Sequence, residues 1–142
     1  LGAPYWDSKA RGIICGMSRT TGKREIVKAA LDCIAYQIVD IVRLMSEEAG
    51  LPIREIRVDG GPTRNGYLMQ FQSDMLGIDV QVAEELSGIG AAFAAGLGLG
   101  IYDKKQIFSR MTRTAYHPRM QEEERDRKYQ GWKDAVRLVL AK

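Results

Sequence analysis

Apolar and polar positions along the chain form blocks that predict strands alternating with helices. An apolar run over residues 12–17 predicts a short buried strand. Residues 23–49 repeat apolar side chains every three or four positions, as one face of a long helix does, and Gly50 and Pro52 are typical of its end. The predicted apolar stripe of this helix consists of Ile26, Ala30, Ile34, Ile38, Ile41 and Met45.

The rest of the chain continues the alternation. Residues 56–59 and 79–83 have the composition of strands, and a helical segment follows each of them. Pro62 suits the first turn of one helix, and Ser87 caps the other, which is rich in glycine and alanine. The remaining predicted segments are a helix over 62–76 ended by Gly77, a short helix over 104–110, an edge or linking segment over 112–116, and a final helix from near Met120 with the apolar stripe Tyr129, Trp132, Val136 and Val139.

This order of elements predicts an α/β domain in which helices cover a sheet. A chain of 142 residues with 45% hydrophobic and 27% charged residues is expected to form one globular domain. The 21 Lys and Arg are interleaved with 18 Asp and Glu, so no basic face indicates nucleic-acid binding. The longest weakly polar stretch, residues 86–102, is shorter than the ~20 apolar residues of a membrane helix. We therefore expect neither a nucleic-acid nor a membrane partner.

Cysteine, histidine and the N-terminal aromatic residues give no indication of a reactive centre. Cys15 and Cys33 match no zinc or redox spacing and are expected to be buried free thiols, which fits a cytoplasmic protein. His117 is the single histidine and precedes a proline in an extended loop, without a cluster of metal ligands beside it. Tyr5 and Trp6 could stack on a base, but the favoured expectation is that they anchor their loop in the core. We expect no metal ligand and no catalytic residue among them.

The segment IRVDGGPTRNG, residues 56–66, places two glycines and an asparagine where a strand gives way to a helix. In open α/β sheets, ligands bind beyond the carboxyl ends of the strands. Gly60 and Gly61 allow a ligand to approach the backbone, the following helix presents free N–H groups, and the Asn65 amide both donates and accepts hydrogen bonds. The turn could therefore hold a nucleotide. A Gly-Gly connection is more often only a turn, and this one has neither the P-loop lysine nor the three-glycine dinucleotide spacing.

Sequence blocks spread over nearly the whole chain keep the order that they have in a known family. These blocks are LGAPYWD with ARG (1–12), AALDCIAYQ (29–37), VDGG with Asn65 and LMQFQSD (58–74), GAA with AGL (90–97), and ER with YQGWK (124–133). Together they resemble the FGGY carbohydrate kinases and, within that family, the glycerol kinases.

The resemblance implies an actin-like, ribonuclease-H-like domain with a mixed sheet flanked by helices. It also implies that the chain is the C-terminal, nucleotide-binding domain of a two-domain kinase that uses ATP and Mg²⁺. In the family the glycine turn and the following asparagine hold the nucleotide, which carries over to Gly60, Gly61 and Asn65. The family's phosphate loop, catalytic aspartate and polyol-binding residues are expected upstream of Leu1. Residues 1–142 are therefore expected to be an N-terminally truncated fragment, inactive alone and without a catalytic residue.

Departures from the family pattern leave several roles open. Pro62, Thr63 and Arg64 follow the glycines where the family has small residues, and Arg64 either lies near the nucleotide or is a solvated helix residue. Asp59 either orients the turn, contacts the nucleotide through water, or simply caps the turn. Glycerol is the favoured acceptor for transfer of the γ-phosphate. The alternatives are another acceptor such as a pentulose, or a non-catalytic actin-like nucleotide-binding or assembly module. The complete protein could form a homo-oligomer.

Overall fold

The computed structural model describes residues 1–83, 87–103 and 112–140. The predicted helix over 104–110 therefore lies outside the described residues. The elements are α1 (Lys23–Ala49), β1 (Glu55–Val58), a 3-10 turn (Gly61–Arg64), α2 (Gly66–Leu76), β2 (Asp79–Ala83), α3 (Ser87–Gly98), β3 (Arg113–Tyr116) and α4 (Glu122–Leu140).

The three described strands form one mixed sheet in the order β1-β2-β3. β1 and β2 are parallel, with Ile56 opposite Val80, and β3 runs antiparallel to β2, with Tyr116 opposite Val80. Val80 is fully buried, as expected at the centre of a covered sheet. The segment predicted over 112–116 is thus an edge strand. At the other edge of the sheet, β1 pairs with β2 alone among the strands that the structure describes.

The long helix α1 has the predicted bounds. At its start the Gly22 N–H donates to the Glu25 carboxylate at 2.8 Å, which satisfies one of the free N–H groups of the first turn. At its end Gly50 adopts φ 63° and donates its N–H to the Glu47 carbonyl oxygen at 3.2 Å. A left-handed glycine of this kind is a common helix terminator.

The core forms where α2 packs against α1, the sheet and α4. Met75 and Val39 are fully buried there, and the predicted α4 residues Tyr129 and Trp132 pack against the same cluster. The Tyr36 ring stacks on Trp132 with a centroid separation of 5.5 Å. The buried hydrophobic residues of this cluster are Ala35, Val39, Leu68, Met69, Phe71, Met75, Val80 and Tyr129.

A buried carboxylate joins three parts of the chain. Asp40 on α1 is 5% exposed. It accepts hydrogen bonds from the Tyr129 hydroxyl at 2.6 Å and the Trp132 indole N–H at 2.8 Å, both on α4. It also accepts one from the Tyr5 hydroxyl in the N-terminal loop at 3.1 Å. Buried polar groups are stable when they are hydrogen-bonded, and this carboxylate has three donors.

The expected strand over residues 12–17 is wrong, because the segment is exposed and belongs to no strand. Ile14, for example, is 65% exposed. An apolar run becomes a buried strand only where a neighbouring strand pairs with it, and none of the described strands lies beside this one. Cys15 is exposed for the same reason, so it is a free thiol but not a buried one.

Two further expectations about burial are wrong. The predicted stripe of α1 is largely exposed, whereas Ala35, Val39 and Asp40 form the buried face. This helix is apolar around much of its circumference, so the sequence pattern did not single out the buried face. Trp6 is 80% exposed with φ 49°, and only Tyr5 anchors the N-terminal loop, through its bond to Asp40.

Candidate functional site

The glycine turn lies at the carboxyl end of β1, as predicted. Gly60 has φ 103° and ψ 174°, a region of backbone conformation that is essentially restricted to glycine. Gly61 has no positive φ, and a Cβ added to it would meet no atom within 4 Å. The fold therefore requires glycine at residue 60, whereas at residue 61 glycine leaves open space above the backbone.

Hydrogen bonds within the turn hold it in place without any ligand. The Asp59 carboxylate accepts the Gly60 N–H at 2.6 Å. The Gly60 carbonyl oxygen accepts both the N–H of Thr63 at 3.0 Å and its hydroxyl at 2.7 Å. This bond is the one that both the orienting role and the turn-capping role of Asp59 require. A turn preorganised in this way loses little conformational freedom when a ligand binds.

Asn65 is the N-cap of α2 and does not lie inside the helix. Pro62 is the second residue of the short 3-10 turn, and α2 begins at Gly66, so the expected start of the α-helix at residue 62 is wrong by four positions. The Asn65 Oδ1 accepts the Leu68 N–H at 3.1 Å, which is the usual bond of an N-cap residue. Its Nδ2 group is the part of the amide that remains to donate to a ligand.

The N-terminal half of α1 contacts the first turn of α2, directly after the glycine turn. Tyr67 is in the first turn of α2, and its hydroxyl donates to Asp32 of α1 at 2.5 Å. Lys28, one helical turn before Asp32, contacts the same carboxylate at 2.5 Å. Burial and then the hydrogen bond to Asp32 raise the pKa of the Tyr67 hydroxyl.

The structure brings Gly60, Gly61 and Asn65 together on one short turn. Sequence reasoning missed Tyr67 and Asp32, because a contact across 35 positions leaves no local pattern. Only the spacing of Lys28 and Asp32, four residues apart on a helix, was visible beforehand.

Other polar groups lie away from this turn. His117 contacts Asp79 at 2.8 Å. Asp79 begins β2, which is parallel to β1, so this contact lies at the end of the strands opposite to the glycine turn. Among the described residues, no group of three or more His, Cys, Asp or Glu side chains could hold a metal ion. In the same part of the chain, no helix is both long and apolar enough to span a bilayer.

The sequence model for the C-terminal domain of the FGGY family of carbohydrate kinases matches residues 1–99. Glycerol kinase of Halorhodospira halophila is 45% identical over 143 residues, which cover 99% of this chain and 28% of that protein. Glycerol kinase of Lactobacillus delbrueckii is 46% identical over 140 residues, covering 96% of this chain and 28% of that protein. The chain thus spans a little over a quarter of the length of these curated relatives.

Solved structures show the same likeness. Plasmodium falciparum glycerol kinase with ADP superposes with a TM-score of 0.84 and 35% identity, covering 97% of this chain and 28% of that one. Xylulose kinase from Rhodospirillum rubrum has a TM-score of 0.74 at 22% identity, covering 95% and 28%, and this likeness concerns the fold alone. The predicted fold class, an actin-like α/β domain with a mixed sheet flanked by helices, is confirmed.

Proposed function

The chain belongs to the FGGY family of carbohydrate kinases, and from this premise we propose that it is the nucleotide-binding C-terminal domain of an ATP-dependent kinase. In the proposed reaction the γ-phosphate of ATP passes to a hydroxyl group of a small polyol or sugar. Gly60, Gly61 and Asn65 hold the nucleotide in this proposal, and the described residues supply no catalytic group.

The observation that carries the proposal is the open, preformed turn at the carboxyl end of β1. Gly60 is constrained by its backbone conformation, but nothing in the fold requires the absence of a side chain at Gly61. Space above Gly61 is what a ligand lying against the backbone needs. Asn65 and the start of α2 follow the carboxyl end of β1, the end of the sheet at which ligands of α/β proteins bind.

Magnesium is expected with ATP, because phosphoryl transfer depends on positive charge around the γ-phosphate. The described residues do not fit a protein-held ion, since they contain no cluster of metal-ligating side chains. The proposal therefore assigns Mg²⁺ to the nucleotide phosphates and to groups outside this chain, and no step is derived through it.

Glycerol is the proposed acceptor. Its support is identity of about 45% to glycerol kinases and 35% to a glycerol kinase solved with ADP. A pentulose is the second candidate acceptor. The chain covers 28% of the length of these relatives, and in this proposal the acceptor is selected by residues of the complete protein outside these 142.

Unpaired surfaces support a role as one part of a larger assembly of strands and helices. The outer edge of β1 has no partner among the described strands, and the apolar segment 12–17 is exposed. Ile13 and Ile14 of that segment and Ile26 of α1 line one groove of about 550 Å³. We propose that further parts of the complete kinase cover these surfaces and that the chain alone does not turn over substrate.

A cytoplasmic location belongs to the same proposal. Both cysteines are free thiols, which suits a reducing compartment, and ATP is a cytoplasmic co-substrate. A homo-oligomer of the complete protein remains part of the proposal as well. A non-catalytic nucleotide-binding module is the alternative function, and turnover in the complete protein discriminates between the two.

The test is calorimetric titration of the complete protein with ADP and Mg²⁺, together with an assay of ATP-dependent phosphorylation of glycerol. The key variant is Gly61→Val, whose Cβ would meet no atom within 4 Å in the fold. We expect it to melt as the wild type does and to lose nucleotide binding. Normal ADP affinity in Gly61→Val would exclude this turn as the site, and binding without any turnover would favour the non-catalytic module.

A further inference from the structure

Tyr67 and Asp32 connect the glycine turn to α1. The N-terminal half of α1 contacts the first turn of α2, which follows β1 and the glycine turn along the chain. Tyr67 follows Asn65 by two residues, and its hydroxyl donates to Asp32 Oδ1 at 2.5 Å. This contact ties the first turn of α2 to α1.

Both oxygens of the Asp32 carboxylate are occupied. The Asp32 side chain is only 13% exposed, and its Oδ2 accepts from the Lys28 ammonium at 2.5 Å while Oδ1 accepts from Tyr67. The Lys28 nitrogen also lies over the rings of Tyr67 and Phe71, at 5.4 and 5.2 Å from their centroids. These two rings are nearly parallel, with an interplanar angle of 7°. The Tyr67 ring is therefore fixed by its hydroxyl, by a cation and by a neighbouring ring.

We propose that Tyr67 and Asp32 are positioning residues that hold the glycine turn and Asn65 in the geometry that the nucleotide requires. The inference rests on the proposed function of the turn. The two residues act through α2 and touch no ligand. The Asn65 side chain is bonded to the first turn of α2 through Leu68 N–H, so a tilt of that turn displaces its Nδ2 donor. Small displacements of positioning groups have large effects on binding and catalysis.

The experiment measures ADP affinity by calorimetry and the melting temperature in the complete protein. Tyr67→Phe keeps the ring and removes the hydroxyl, and we expect ADP to bind about fivefold more weakly, the equivalent of one typical hydrogen bond. Asp32→Asn keeps an oxygen that accepts from Tyr67, so it is expected to bind ADP more tightly than Asp32→Leu. If Asp32 only fills a buried position, Asp32→Asn and Asp32→Leu are expected to bind ADP with equal affinity.

Tyr5→Phe is the matched control. Tyr5 also donates a hydroxyl to an aspartate of α1 across 35 positions, but that aspartate is Asp40, outside the glycine turn. We expect Tyr5→Phe to lower the melting temperature without weakening ADP binding. The positioning role is wrong if both tyrosine variants weaken ADP binding equally, or if Tyr67→Phe binds ADP with the affinity of the wild type.

The outcome also separates this inference from the proposed function. If the wild type binds ADP, Gly61→Val does not, and Tyr67→Phe is unaffected, only the positioning role fails. If the wild-type protein binds no ADP, the proposed function fails and the positioning role fails with it.

Discussion

At the residue scale, Asn65 combines a structural and a proposed binding role in one side chain. Its Oδ1 caps α2 through Leu68 N–H, and its Nδ2 is the group proposed to meet the nucleotide. A substitution that removes the whole amide affects both roles. The two roles become separable with a residue that still caps a helix but has no amide.

Substitution of Asn65 by serine or by alanine separates its capping role from its proposed binding role. Asn65→Ser retains a cap, whereas Asn65→Ala loses it and is expected to cost ~1 kcal/mol of folding stability. Both variants lack Nδ2, so both are expected to weaken ADP binding. Urea unfolding and calorimetry of the two proteins check this. An Asn65→Ser protein with wild-type ADP affinity would leave Asn65 with the capping role alone.

At the scale of elements, Asp40 holds α1, α4 and the N-terminal loop together. Each contact crosses between elements, because Tyr129 and Trp132 belong to α4 and Tyr5 to the loop. The predicted stripe of α4 identified two of these residues as core. The sequence did not reveal that a carboxylate on α1 receives their polar atoms.

Removal of this carboxylate leaves its donors without an acceptor. We expect Asp40→Ala to lower the free energy of unfolding by about 2–3 kcal/mol, as loss of a buried hydrogen-bond network does. The control is Asp134→Ala, since Asp134 is exposed and its partner Arg137 is an exposed neighbour. That change is expected to stay within about 0.5 kcal/mol. Equal losses for the two variants in urea unfolding would mean that Asp40 contributes no more than a surface charge.

The tyrosines around Asp40 make stability sensitive to alkaline pH. Burial and the adjacent Asp40 charge raise the pKa of Tyr5 from 10.0 to about 12, and burial with the hydrogen bond to Asp40 raises the pKa of Tyr129. The folded state thus binds these protons more tightly than the unfolded chain does. The contribution of Tyr5 to the free energy of unfolding is complete below pH 10 and is lost as the pH rises from 10 through 12, and that of Tyr129 is likewise lost as the pH rises above 10. Urea unfolding at pH 8 to 11 should show this decline, and Tyr5→Phe should make it shallower.

At the scale of the whole molecule, the glycine turn and the alternation of helices and strands from α1 to β2 followed from sequence. The strand expected over 12–17 did not form, and the location of the core followed only in part. Gly60 has a conformation that local chemistry dictates, and α1 has strong terminators at both ends. Burial of residues 12–17 and of Ile34 depends on partners that the described residues do not supply. A hydrophobic pattern shows that a surface needs covering, but it does not show whether the same chain covers it.

The exposed apolar surface has a measurable consequence. We expect the 142-residue chain to self-associate and to bind a hydrophobic dye, because large exposed apolar patches promote association. Ile14→Lys, which places a charge in the groove that segment 12–17 forms with α1, is expected to reduce both effects. Leu138→Lys on α4 is the control, since Leu138 is similarly exposed but does not line that groove. A wild-type chain that sediments as a monomer and binds no dye would contradict this expectation.

The two adjacent glycines of the turn constrain the gene in different ways. Every amino-acid change at either codon adds a Cβ. At residue 60 the added Cβ is strained by the backbone conformation, whereas at residue 61 it meets no atom within 4 Å. In a library of single variants sorted for protein abundance, changes at codon 60 should be depleted and those at codon 61 retained. Selection for growth on the acceptor should then remove both. Loss of variants at codon 60 would then reflect selection for folding, and loss of variants at codon 61 would reflect selection for ligand binding.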